Sequence, residues 1–137
     1  MRLDPRLTFE RLVVGTGNRL AAAAAGAVAE APGTTYNPLY IYGGSGLGKT
    51  HLLTATAHRL LELQPDTEVL ALTLDEFSEQ WHAAVSAGET QSFGGRLGRA
   101  DLLLLDDIQF LTGRREMQAE VLRLFTAMQE RGGQIVC

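Results

Sequence analysis

Lysine is nearly missing from this sequence: of twelve basic residues eleven are arginine, and the single lysine is Lys49. Arginine serves wherever a generic surface cation is enough. The exception marks a place where a compact ammonium fits and the wider guanidinium fork does not. Cysteine is just as scarce, with Cys137 alone. That excludes an internal disulfide and agrees with a reducing, cytoplasmic compartment. Long apolar runs are absent too. The strongest, Leu102–Leu105, falls far short of the roughly 20 residues that cross a bilayer. Arg2, Asp4, Arg6 and Glu10 deny the start of the chain the apolar stretch of a signal peptide. Nor is there an excess of positive charge. At a net charge of −4, any contact with DNA must run through a local cluster rather than the overall field.

The 137 residues, 45% of them hydrophobic, suit about one soluble globular domain. Residues Arg2–Gly15 read as an irregular lead-in anchored by Leu7, Phe9, Leu12, Val13 and Val14. Asn18–Ala31 is rich in helix formers and stops at Pro32-Gly33. Pro38–Tyr42 is a short apolar and aromatic run, which predicts a buried strand. A helix over Lys49–Leu63 and a strand over Glu68–Leu74 follow. Asp75 is placed to cap a helix over Glu76–Ala87, with Phe77, Trp81 and Val85 on one face. Glu89–Arg99 forms a glycine-weakened helix, and Asp101–Leu105 a strand apolar throughout, as expected for burial on both faces. Arg114–Arg131 is a long amphipathic helix carrying Met117, Val121, Leu122, Leu124, Phe125 and Met128. Gln134–Cys137 begins a fourth strand, so the chain is expected to be part of a longer domain. Strands alternating with helices imply an α/β fold with a parallel sheet between helical layers.

Gly43-Gly44-Ser45-Gly46-Leu47-Gly48-Lys49-Thr50 satisfies G-x-x-x-x-G-K-[ST] at every fixed position, between a predicted strand and a predicted helix. Glycines let successive backbone N–H groups point into one nest for phosphate oxygens, and the helix adds its positive end. Lys49 is expected to reach the β- and γ-phosphates of a nucleoside triphosphate, ATP above all, and the Thr50 hydroxyl to ligate Mg²⁺. A glycine-rich turn without a ligand is the plainer alternative, and the strand–loop–helix context disfavours it. Asp106 and Asp107 end the apolar strand at the edge where ligands of such sheets bind. Asp106 is expected to hold the metal through its water shell, and Asp107 to orient or activate the attacking water. Without the glycine loop, two aspartates after a strand would simply start a turn.

The other chemistry-bearing residues favour plainer roles. His51, His58 and His82 lack a cysteine partner at metal spacing and read as surface or packing histidines. Trp81 and Phe77 share helical spacing with Val85, which suits core packing better than base stacking. Arg96 with Arg99 is the best local cationic pair and Arg114 with Arg115 the next. Each is more often a solvated face.

The glycine loop and double-Asp strand resemble the AAA+ ATPase family. Within it, Leu7-Thr8-Phe9-Glu10, Val13-Val14-Gly15, Asn18-Arg19, Ala29-Glu30-Ala31-Pro32, Tyr36–Gly44, Gly46–Leu53 and Asp106–Leu111 resemble the bacterial chromosomal replication initiators over nearly the whole chain. The resemblance implies the P-loop three-layer sandwich of AAA+ cores, here with a lead-in over residues 1–17 and a core over 36–137. It implies an ATP/ADP-switched protein that self-assembles on origin DNA, melts it and helps load the replicative helicase. Val13, Val14 and Asn18 would lie near the adenine, and the stretch around Arg96 and Arg99 would meet single-stranded DNA. The lid, the arginine finger and the helix-turn-helix domain of that family are not in this sequence, so weak or absent hydrolysis is expected of the segment alone. A regulatory homologue or helicase loader without origin recognition is the main alternative, separated by whether a helix-turn-helix follows. A small-molecule kinase is the weakest, because no acceptor site is evident.

Overall fold

The computed structural model describes residues 1–15, 18–34, 36–41 and 46–137. A parallel sheet runs through its middle in the order β1 (Val69–Thr73), β2 (Leu102–Asp106), β3 (Gln134–Val136). Thr73 stands level with Asp106, and Leu104 with Val136. The segment Leu39–Ile41 lies along the other side of β3. Leu39 N donates to Ile135 O at 2.9 Å, Cys137 N to Leu39 O at 2.9 Å and Ile41 N to Cys137 O at 2.7 Å. The strand expected over Pro38–Tyr42 thus makes ladder hydrogen bonds through Leu39 and Ile41, as one parallel bridge rather than a full strand. Tyr42 lies outside the described residues.

Helices cover both faces. Leu102, Leu104 and Val136 point into one apolar cluster with Leu52, Leu53, Leu60 and Val28, which belong to α1 (Arg19–Glu30) and α2 (Gly46–Leu63). Leu103, Leu105 and Ile135 point into the other, with Phe77, Phe93, Phe125 and Met128, from α3 (Leu74–Ala87), α4 (Thr90–Gly98) and α5 (Arg115–Glu130). The period-2 alternation of a strand sends successive leucines to opposite faces, and both faces are covered. That is why β2 is leucine at every position before Asp106. Each such side chain contributes roughly 1.5–3 kcal/mol relative to an exposed one.

Three local expectations need correction. Thr73, not Asp75, caps α3: its Oγ1 accepts from Glu76 N at 3.1 Å while Glu76 Oε1 accepts from Thr73 N at 3.2 Å. This reciprocal box starts the helix at Leu74, ahead of Asp75. Val85 is 49% exposed, and Ala84 takes the buried position. Seven residues beyond Phe77 is close to two full turns, whereas eight overshoots the stripe. Leu122 is 66% exposed for the same reason, lying about 100° round the helix from Val121.

Glycine is demanded at Gly33, whose φ is +79° and whose added Cβ would lie 2.7 Å from the Gly132 carbonyl oxygen. At Gly26 in α1 an added Cβ meets nothing within 4 Å among the described residues. Gly33→Ala is therefore expected to destabilise by more than about 1 kcal/mol, and Gly26→Ala to stabilise by about 0.5–1 kcal/mol through helix propensity. Thermal melting of the two variants should move in opposite directions.

Candidate functional site

The sheet register sets the geometry. Leu39 is level with Val136 and Val136 with Leu104, so Ile41 reaches the height of Asp106 at the C-terminal rim of the sheet. The helix that follows, α2, begins at Gly46, three residues earlier than Lys49, where the sequence reading starts it. Glycines at 46 and 48 are poor helix formers, which hid this turn from the sequence. The first N–H groups of such a helix have no partner within it and are suited to anions. Lys49 and Thr50 are half-buried in its opening turns.

Thr50 then meets the double-Asp strand. Its Oγ1 donates to Asp106 Oδ2 at 2.6 Å, and Asp107 N donates to Asp106 Oδ1 at 2.9 Å. Asp106 is only 6% exposed, so both oxygens of a nearly buried carboxylate are held in place. Asp107 is half-buried, with φ 63° and ψ 33°, the only positive φ outside glycine among the described residues. Aspartate tolerates this left-handed conformation better than most residues. It turns the chain sharply at the rim and into the 3-10 turn Ile108–Leu111.

The remaining predicted residues fall as follows. Gly43, Gly44 and Ser45 lie outside the described residues, and of Gly46 and Leu47 the helical backbone is described. An added Cβ at Gly48 would meet nothing within 4 Å among the described residues, so packing alone does not require glycine there. Val13 is 86% exposed and Val14 50%. Asn18 binds back to their segment, its Oδ1 accepting from Gly15 N at 2.8 Å and its Nδ2 donating to Val13 O at 3.0 Å. The structure thus joins Thr50 to Asp106 and Asn18 to Val13.

The histidines and Trp81 take the packing and surface roles expected of them, with Trp81 against the core cluster, and the structure adds their partners. His51 and His58 are not idle: His51 Nε2 binds Thr8 O at 2.6 Å and His58 Nε2 binds Asp4 O at 2.9 Å. Their spacing of two helical turns on α2 was the available signal. Trp81, half-buried, packs against exposed His82 with ring centroids 5.1 Å apart and the planes tilted by 53°. The pair lines a cleft with Ser78, Arg114, Arg115, Glu116 and Met117. By contrast, Arg96 and Arg99 are engaged locally. Arg96 lies 5.8 Å from the Phe93 ring centroid and donates to Gln80 Oε1 at 3.3 Å, and Arg99 donates to Gly95 O at 3.2 Å. No helix among the described residues is long and apolar enough to cross a membrane.

Known proteins resemble this chain in sequence and fold. The chain is 47% identical over 134 residues to the chromosomal replication initiator protein DnaA of Symbiobacterium thermophilum, covering 98% of this chain and 29% of that protein. It therefore spans less than a third of that relative's length. The crystal structure of domain III from the Thermotoga maritima replication initiation protein DnaA superposes with a TM-score of 0.93 at 41% identity, over 99% of this chain and 57% of that one. A replication initiator DnaA bound to AMPPCP and single-stranded DNA superposes with a TM-score of 0.90 at 35% identity, over 99% and 42%. The profile of the family described as "Bacterial DnaA ATPAse domain" matches residues 3–137, and the chain belongs to that family.

Proposed function

We propose that this chain is the N-terminal part of an AAA+ ATP-binding domain, with its lead-in over 1–17 and its core over 36–137. It binds ATP with Mg²⁺ and serves, in the whole protein, as the ATP/ADP-switched module that starts DNA replication at an origin. The observation that carries this reading is the Thr50 hydroxyl resting on the Asp106 carboxylate at 2.6 Å. Two hard oxygen donors in contact, beside a helix start, suit Mg²⁺, which takes one or two protein oxygens and leaves its other positions to water and phosphate. Thr50 and Asp106 would hold that ion, which supplies charge neutralisation to the phosphates. Gly43, Gly44, Ser45, Gly46, Leu47 and Gly48 would offer backbone amides to the phosphates, and Lys49 its ammonium. Val13, Val14 and Asn18 would border the adenine, as their exposure and the Asn18 clip allow. Asp107 would orient the attacking water for hydrolysis to ADP.

Self-assembly on origin DNA, cooperation with the replicative helicase and a cytoplasmic location belong to the same proposal. For single-stranded DNA the cleft beside Trp81 and His82 is better furnished than the Arg96–Arg99 pair. It puts a stacking aromatic next to two arginines, the combination that binds unpaired bases and their backbone.

Three outcomes test this. Mg-ATP at about 100 times its Kd should stabilise the protein by roughly 2.7 kcal/mol, raising Tm by several degrees. Lys49→Ala should erase that shift, and undiminished affinity in the variant would remove the phosphate assignment. Asp107→Asn should keep Mg-ATP binding and slow hydrolysis in the whole protein, because asparagine also accepts the left-handed backbone; normal turnover would discard Asp107 as the water-orienting group. The double variant Arg114→Ala/Arg115→Ala should weaken single-stranded DNA binding and flatten the slope of log affinity against log salt by about 1.4. A larger effect from Arg96→Ala/Arg99→Ala would move the contact to α4.

A further inference from the structure

The lead-in is fastened to the phosphate-loop helix in a specific direction. His58 binds Asp4 O and His51 binds Thr8 O, so the segment runs antiparallel to α2, from its later turns toward its start. The two histidines lie seven residues apart, about 10.5 Å along the helix axis. Asp4 to Thr8 spans four residues, at most roughly 14 Å when extended. The segment between them is shortened by a turn, Leu7 N donating to Asp4 O at 3.1 Å. That turn is held by Arg6, whose guanidinium keeps the Asp4 carboxyl down at about 2. Beyond Thr8, Phe9 and Leu12 pack partly buried against the α1–α2 cluster, and Asn18 clips Val13 and Gly15.

His51 is the residue directly after Thr50. Its ring therefore links the helix turn that carries the metal-side hydroxyl to the segment that leads to Val13 and Val14. A carbonyl oxygen can only accept, so Nε2 bears the hydrogen. Imidazole suits the task. It is rigid, with two side-chain torsions, and reaches a backbone oxygen without requiring a second charge beside Lys49.

We propose that His51 is a positioning residue for nucleotide binding: through Thr8 it holds the base-side residues Val13 and Val14, which Asn18 clips, at a fixed place relative to the phosphate-binding turn of α2. The proposal rests on the nucleotide-binding reading above and adds to it a division of labour. His51 serves recognition of the base and not of the phosphates. A histidine that merely stabilised the fold would affect every ligand alike.

The test compares Mg-ATP with Mg-tripolyphosphate, which has the phosphates but no base, by titration calorimetry on the wild-type chain and on His51→Leu. His51→Leu is expected to weaken ATP about tenfold while changing tripolyphosphate less than twofold. His51→Gln, whose amide nitrogen can stand near the Nε2 position, should restore most of the ATP affinity. Should His51→Leu fail to fold, His51→Asn, too short to reach Thr8 O, replaces it with the same expectation. Unchanged ATP affinity in the folded variant overturns the proposal, as does an equal loss for both ligands or a failure of His51→Gln to recover. Absence of ATP binding by the wild-type chain would instead sink the nucleotide reading itself.

Discussion

The contact between the Thr50 hydroxyl and the Asp106 carboxylate is the constraint on which the rest of the molecule depends. It joins a helix from one layer to the tip of a strand in another, so helix α2, strand β2 and their relative height must all be right at once. The leucines of β2 and the apolar side of α2 supply that placement through packing. A carboxylate 6% exposed is expensive to bury unless its oxygens are engaged. Here each oxygen accepts one hydrogen bond, and a carboxylate can accept about four. That leaves the carboxylate with acceptor capacity beyond these two bonds. The site is therefore built to be completed rather than self-sufficient.

Much of this was legible in the sequence, and the reasons differ by residue. The lone lysine, the glycine loop and the two aspartates after a leucine run raised the expectation of a phosphate site, because phosphate chemistry restricts residue types at fixed spacing; of those groups the structure brings Thr50 and Asp106 together. The run of leucines signalled a strand covered on both faces, and the two apolar clusters match it. What the sequence hid is instructive. The Thr73–Glu76 capping box lies two residues ahead of the expected cap, because Asp75 is itself a good cap and the choice depends on where β1 releases the backbone. Val85 and Leu122 were placed on the apolar stripe because both are hydrophobic, yet a residue's angle round the helix outweighs its type. His51 and His58 looked idle because their partners are backbone carbonyls more than forty residues away, which no residue pattern records.

The charge distribution has the same local character. The chain is negative overall, and its useful cations are placed individually. Lys49 sits at the start of α2, while Arg114 and Arg115 sit where α5 begins, a few residues past the Asp106–Asp107 rim. The 3-10 turn Ile108–Leu111 is the short covalent path between that rim and the cleft beside Trp81. A nucleotide at the rim and a nucleic-acid strand in the cleft would thus share one stretch of backbone, whose bend is set by the left-handed Asp107.

The place of β3 has a consequence for how the chain folds. Of the three described strands it is made last, yet it lies between β2 and the segment Leu39–Ile41, made about a hundred residues earlier. Ile135 and Val136 each contribute to one of the two apolar clusters, so neither cluster is filled until β3 arrives. Until then the leucine run of β2 offers an open hydrogen-bonding edge, the kind of surface that invites misassembly during synthesis. Pairing of β3 with Leu39–Ile41 is thus a long-range event, which forms more slowly than the local contacts of the helices.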